Sequence, residues 1–156
     1  MHQDLPDWVQ RNPGKYLTRL QEEAKYLYSD FPNIGIFREG PVMYLEGPVL
    51  TMSKNQYTVR IVYPENYPHV PPSAYVRDID VAEFAGSDIN RGHKYHNYGI
   101  QPPHGLALCL LGRDDQVNKG WTPTQSGVTI LQYAVAWLNA FEYKQSTGQW
   151  PLPETH

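Results

Sequence analysis

The chain has 156 residues, and its 13 lysines and arginines against 16 aspartates and glutamates leave a formal net charge of -3. A length of that order suits one domain with a real core, and 40% hydrophobic with 19% charged residues belongs to a folded chain. There is no broad basic field for nucleic acid, no signal peptide at the start and no stretch of membrane-spanning length, so the expectation is a cytoplasmic protein that contacts neither nucleic acid nor membrane.

The first predicted helix opens at Asn12-Pro13, an N-cap followed by a proline whose missing N–H costs nothing there. Tyr16, Leu17, Leu20, Ala24 and Leu27 recur at helical spacing, with Arg19, Glu22, Glu23 and Lys25 expected to face outward. SDFPNIG ends this helix at Pro32 or before. Strands are predicted in IGIFREG, VMYLEG, Val49 to Met52 and QYTVRIVYP, with one more short strand in SAYVRDI. In QYTVRIVYP, Tyr57, Val59, Ile61 and Tyr63 alternate with Thr58, Arg60 and Val62, the mark of a half-buried strand. From Asp80 to Gly120 no periodic element stands out, and an ordered loop of that length usually carries function. Thr122 and Gln125 read as a capping box around Pro123, opening a second helix. On that helix Ile130, Ala134, Trp137 and Phe141 form one apolar face, and Val128, Leu131, Val135 and Leu138 form the next, so it is expected to be buried. The expected fold is α+β, a single domain over 1–156. It comprises an N-terminal helix, a four-stranded antiparallel meander, an active-site loop and a buried C-terminal helix.

The order of features is more specific than any one of them. The stretch EGPVLTMSKNQYTVRIVYPENYPHVPPSAYV holds Tyr63-Pro64, Tyr67-Pro68 and Pro71-Pro72. Downstream come Gly105, the pair Cys109-Leu110 and Trp121-Thr122-Pro123. In that order they resemble the signature of ubiquitin-conjugating enzymes, over about Tyr16 to Phe141. Three departures accompany the match. The family's His-Pro-Asn tripeptide is absent, with His96-Asn97 and His104 as its nearest echoes; the glycine sits four residues before the cysteine instead of three; and WLNAFEYKQSTGQWPLPETH replaces the usual closing helices. That pattern resembles the bacterial branch of the family, the conjugating proteins of CBASS or Bil-type antiphage operons.

The resemblance implies an acyl carrier. It would accept the C-terminal glycine of a protein from an activating-enzyme-like adenylating partner and pass it to a nucleophile on a protein acceptor. The conjugated protein would be a ubiquitin-like modifier or a cGAS-like nucleotidyltransferase. Such chemistry needs a thiolate, which attacks well, leaves well and keeps the acyl group reactive. Cys109, the only cysteine, is the candidate, expected within reach of solvent in a shallow groove bordered by residues 93–104. The alternative is the usual fate of a lone cysteine, a small buried hydrophobe. With no internal disulfide available, a reducing compartment is expected.

Transfer builds negative charge on the thioester oxygen, which a nearby donor would stabilise. His104, His96 and Asn97 are the candidates. His104 is the closest of them in sequence to Cys109 and could also deprotonate the incoming amine; alternatively it pins its loop as a structural histidine. Asn97 stands further off than the usual spacing. His93, His96, His104 and Cys109 also form a nominal zinc set, but the spacing matches no standard finger and a metal would occupy the nucleophile. Neither metal nor cofactor is therefore expected. Asp114 and Asp115 either orient an acceptor lysine or serve as turn residues. Arg11, Lys15 and Arg19 lie near the start of the first helix, where the family docks its activating enzyme. Two other classes stay open: an inactive variant of the same fold acting as a binding module, and an unrelated α+β domain with Cys109 in its core.

Overall fold

The computed structural model describes residues 5–86, 97–110 and 120–151, with backbone alone at 84–86. A short helix that the sequence does not announce, α1 (Asp7–Gln10), precedes α2 (Pro13–Asp30). Asn12 caps α2 as expected, its Oδ1 accepting from the Lys15 N–H at 3.2 Å. Tyr16 and Leu27 are buried, and the helix stops at Asp30, ahead of Pro32. Leu17, expected inside, is exposed, and Glu23, expected outside, is buried.

Strands β1 (Gly35–Glu39), β2 (Val42–Leu50), β3 (Gln56–Val62) and β4 (Ser73–Val76) form an antiparallel meander. VMYLEG and the segment from Val49 are not two strands: they are joined within β2. Pro48 lies past Glu46, the last β2 residue paired with β1, so its missing N–H interrupts no ladder on that edge. The facing read on β3 holds, although Arg60 on the other face is buried too. Val59 and Ile61, with Tyr63 just beyond, join the apolar core, while Arg60 projects from the opposite face.

The strand count is corrected from four to six. Among the described residues one sheet runs in the order β1-β2-β3-β4-β6-β5, each neighbouring pair antiparallel. The two added strands, β5 (Asn97–Gln101) and β6 (Gly105–Leu108), and the helix α3 (Ile79–Gly86) fall in the stretch taken for a loop. Their periodicity is hidden for physical reasons. β6 is part of an unbroken apolar run, which has no polar phase to read. β5 carries a bulge between Asn97 and Gly99, which breaks the two-residue alternation.

Helix α4 (Gly127–Thr147) begins at Gly127 instead of at Pro123. Half of the expected box exists, the Thr122 N–H donating to Gln125 Oε1 at 2.8 Å. However, the Arg19 guanidinium takes the carbonyls of Pro123 and Gln125, diverting them from a helical ladder. Ser126 becomes the N-cap, and its N–H donates to Thr129 Oγ1 at 3.2 Å. Val128, Ile130, Leu131, Ala134, Trp137, Leu138 and Phe141 are all buried, as the two apolar faces require. α4 packs across β3, β4 and α2. At the other end of the core, Trp8 of α1 stacks on Tyr63 at 6.0 Å and meets the Tyr67 ring edge-on at 4.9 Å. No helix among the described residues is long and apolar enough to cross a membrane.

Candidate active site

The site is built by the β5–β6 hairpin. Its turn, Pro102 to His104, folds β5 back on β6 and pairs Asn97 with Leu108. Asn97 is thereby brought beside the residue that precedes Cys109, although eleven positions separate it from Leu108 in the chain. Gly105 makes the strand possible. Its φ is +122°, and a Cβ there would lie 2.4 Å from the Val76 carbonyl oxygen.

Cys109 follows β6 directly. Leu106 and Leu108 point into the apolar core, whereas Ala107 and Cys109 fall on the other phase and are not part of that cluster. The residue is nonetheless only 3% exposed, where a solvent-reachable thiol was expected. Part of the bordering groove, including His93 and His96, lies outside the described residues. The half-buried Tyr98 donates its hydroxyl to Cys109 Sγ at 3.1 Å. Tyr98 occupies the bulge of β5, and Asn97 Oδ1 accepts the Gly99 N–H at 2.8 Å across that bulge. Gly99 itself sits at a φ of 86°, a conformation suited to glycine. The Asn-Tyr-Gly step is thus a local device that turns a tyrosine toward the sulfur. Sequence reasoning missed Tyr98, because a bulge residue shows no periodic signal.

His104 is placed elsewhere. It sits in the hairpin turn at the far end of β6, and the four residues of that strand separate it from Cys109 by on the order of 15 Å. Closeness in sequence is undone because the intervening segment is a strand. The His104 ring packs on Tyr75 with centroids 4.8 Å apart, and Nδ1 lies 3.2 Å from Arg60 Nη1. Arg60 pairs in turn with Glu46 at 2.5 Å, and Arg77 donates to the carbonyls of Pro103 and His104 at 2.5 Å each. Burial, then the cations of Arg60 and Arg77, hold the imidazole below its usual pKa. These contacts fit the structural histidine, and the strand between them keeps His104 and Cys109 from sharing one ion. Among the described residues no cluster of three or more metal-ligating side chains occurs. His96, Asp114 and Asp115 lie outside the described residues.

The proline segment after β3 makes contacts of its own. Trp121, buried, donates its indole N–H to the Pro68 carbonyl at 2.8 Å and so ties the segment after the site to the Tyr67-Pro68 turn. Beside that turn an open groove runs between Lys15, Tyr16, Arg19, Pro68, His69 and Pro123. Arg19, expected on the solvated face, is instead mostly buried against Glu23 and the Pro123–Gln125 turn. Arg11 donates to the Tyr67 carbonyl at 2.6 Å.

No curated protein and no solved structure matches the chain. One family does: the model of the Type II CBASS E2 protein matches residues 23–156, which takes in α2 from Glu23 onward, the whole sheet, Cys109 and α4. Of the two operon types that the sequence left open, this is the CBASS one. With most of its length matched, the chain belongs to the Type II CBASS E2 protein family, the E2-like conjugating proteins of an antiphage system.

Proposed function

We propose that the protein is a thioester carrier in which Cys109 accepts the C-terminal glycine of a protein from an activating-enzyme-like partner and passes it to an acceptor nucleophile. The conjugated protein is a cGAS-like nucleotidyltransferase. The observation that carries this reading is the position of Cys109: it directly follows a strand, on the phase opposite the core cluster, and its sulfur meets a polar hydroxyl. Membership of the E2 family supplies the reaction class. The groove beside the start of α2, bordered by Lys15 and Pro68, supports docking of the activating partner there.

The test is direct. Incubated with activating enzyme, the nucleotidyltransferase and ATP, the protein is expected to gain an adduct that a reducing thiol removes, because thioesters exchange with thiolates. Cys109→Ser should give an ester that survives the same thiol, since an alkoxide leaves far less readily. Cys109→Ala should give no adduct with its fold intact. The burial of Cys109 favours a second reading, a binding module of the same fold that never becomes acylated. A wild-type protein that binds its partners but forms no adduct, or a Cys109→Ala protein that still charges, would decide against the carrier.

A further inference from the structure

We propose that Tyr98 is a catalytic residue of this chemistry, its phenolic O–H holding the Cys109 sulfur as a thiolate both when it attacks and when it leaves. The inference rests on the carrier reading above and deepens it. Its basis is geometric: the hydroxyl lies 3.1 Å from Sγ, and the ring is aimed there by the bulge that Asn97 Oδ1 and Gly99 stabilise. Bulges commonly re-aim a side chain beside an active site. The His-Pro-Asn tripeptide of ubiquitin-conjugating enzymes is absent from this chain, and among the described residues a phenol meets the sulfur.

Both half-reactions pass through the same anion. In charging, the Cys109 sulfur attacks the acyl carbon of the donor thioester; the new S–C bond forms, the donor C–S bond breaks, and the donor sulfur departs as a thiolate. In transfer, an amine attacks that carbon, the N–C bond forms, and the C–S bond breaks with its electron pair returning to Sγ. The ammonium proton passes to water. A hydrogen bond from a neutral phenol to a thiolate is charge-assisted and stronger than one to a thiol. Tyr98 therefore favours the state that begins the first step and ends the second. The same bond tempers the sulfur's intrinsic nucleophilicity, which falls as its basicity falls, with a Brønsted slope of about 0.4–0.5.

That opposition provides a signature that a packing role does not share. The rate at which iodoacetamide alkylates Cys109 is measured against pH by mass spectrometry on the full chain, for wild type and Tyr98→Phe. In Tyr98→Phe the inflection should move to higher pH. Near neutrality a tenfold loss of thiolate, set against an about threefold gain in nucleophilicity, leaves roughly a threefold slower reaction. Above both inflections Tyr98→Phe should react faster than wild type, so the two curves cross. Replacing Tyr98 by 3-fluorotyrosine, a stronger donor that differs by one atom, should move the inflection the other way and keeps the test valid if the phenylalanine variant is poorly folded. Superimposable profiles in a wild type that alkylates and carries the thiol-labile adduct would overturn the role of Tyr98 alone. A Cys109 that alkylates only after unfolding would overturn both this role and the carrier reading.

Discussion

At the scale of single residues, His104 shows how contacts assign a role. Its ring faces Arg60, with Tyr75 packed against it and Arg77 and Glu39 also within its electrostatic environment. An imidazole beside two guanidinium groups folds best when neutral. Its pKa in the folded state lies below the ordinary 6.5, so the unfolded chain takes up a proton first as pH falls. The stabilising contribution is complete above about pH 6.5 and declines as pH drops from there through the folded value. Urea midpoints at pH 7.5 and 5.5 should therefore converge in His104→Gln relative to wild type. A gap between the two pH values that stays as large as in wild type would mean that His104 is not the source. Because His104 sits at the other end of β6, discharge of the Cys109 thioester in a single turnover should proceed at the wild-type rate in His104→Gln.

At the scale of elements, the β5–β6 hairpin decides what surrounds Cys109, and Gly105 decides whether the hairpin can join the sheet. β6 pairs with β4 through Tyr75–Ala107 and Val76–Leu106 alone, so a displacement at Gly105 has little redundancy to absorb it. Gly105→Ala would set a methyl 2.4 Å from the Val76 carbonyl oxygen and force a positive φ on a residue with a Cβ. The strain alone is of order 1–3 kcal/mol, and the clash is with backbone that cannot rotate aside. Lower stability should come with faster amide hydrogen exchange at Leu106 and Leu108, while α2 amides keep their protection. Uniform loss of protection across the chain would indicate global destabilisation without local release of the hairpin.

At the scale of the whole molecule, Glu23 joins the layers. It is 3% exposed on α2, yet its carboxylate accepts from Tyr63 Oη at 2.7 Å, from the Tyr67 hydroxyl, from the Gly127 N–H at 2.9 Å and from Arg19 Nε at 3.2 Å. One side chain thus links α2, the end of β3, the proline turn and the first residue of α4. Gly127 must be glycine for this to work, because a Cβ would lie 2.0 Å from Tyr63 Oη. Burial, reinforced by the Glu23 charge, pushes both tyrosine hydroxyls well above their ordinary pKa and keeps them as donors. Removing the carboxylate leaves Arg19 and the buried hydroxyls without it. Glu23→Ala should cost roughly 3–5 kcal/mol in urea unfolding, the range for breaking a buried charged pair. A loss below about 1 kcal/mol, typical of a solvated pair, would contradict the keystone role.

The sequence alone determined what depends on local pattern. The Asn12-Pro13 cap, the alternation on β3 and the two apolar faces of α4 are each carried by neighbours within a turn or a strand, so they were legible and the structure keeps them. The ordered motifs ending in Cys109-Leu110 and Trp121-Thr122-Pro123 also pointed to the E2 family. Tertiary structure decided what depends on chain reversal and on burial. A hairpin carries His104 away from Cys109 and brings Asn97 and Tyr98 toward it, an outcome that separation along the chain cannot show. Likewise an acidic residue on a helix reads as solvated until distant hydroxyls, an arginine and a helix N-terminus converge on it, as they do on Glu23. Local periodicity records which face of an element is apolar; only packing fixes which polar groups meet, as on Glu23, whose partners Tyr63, Tyr67 and Gly127 lie forty and more residues away.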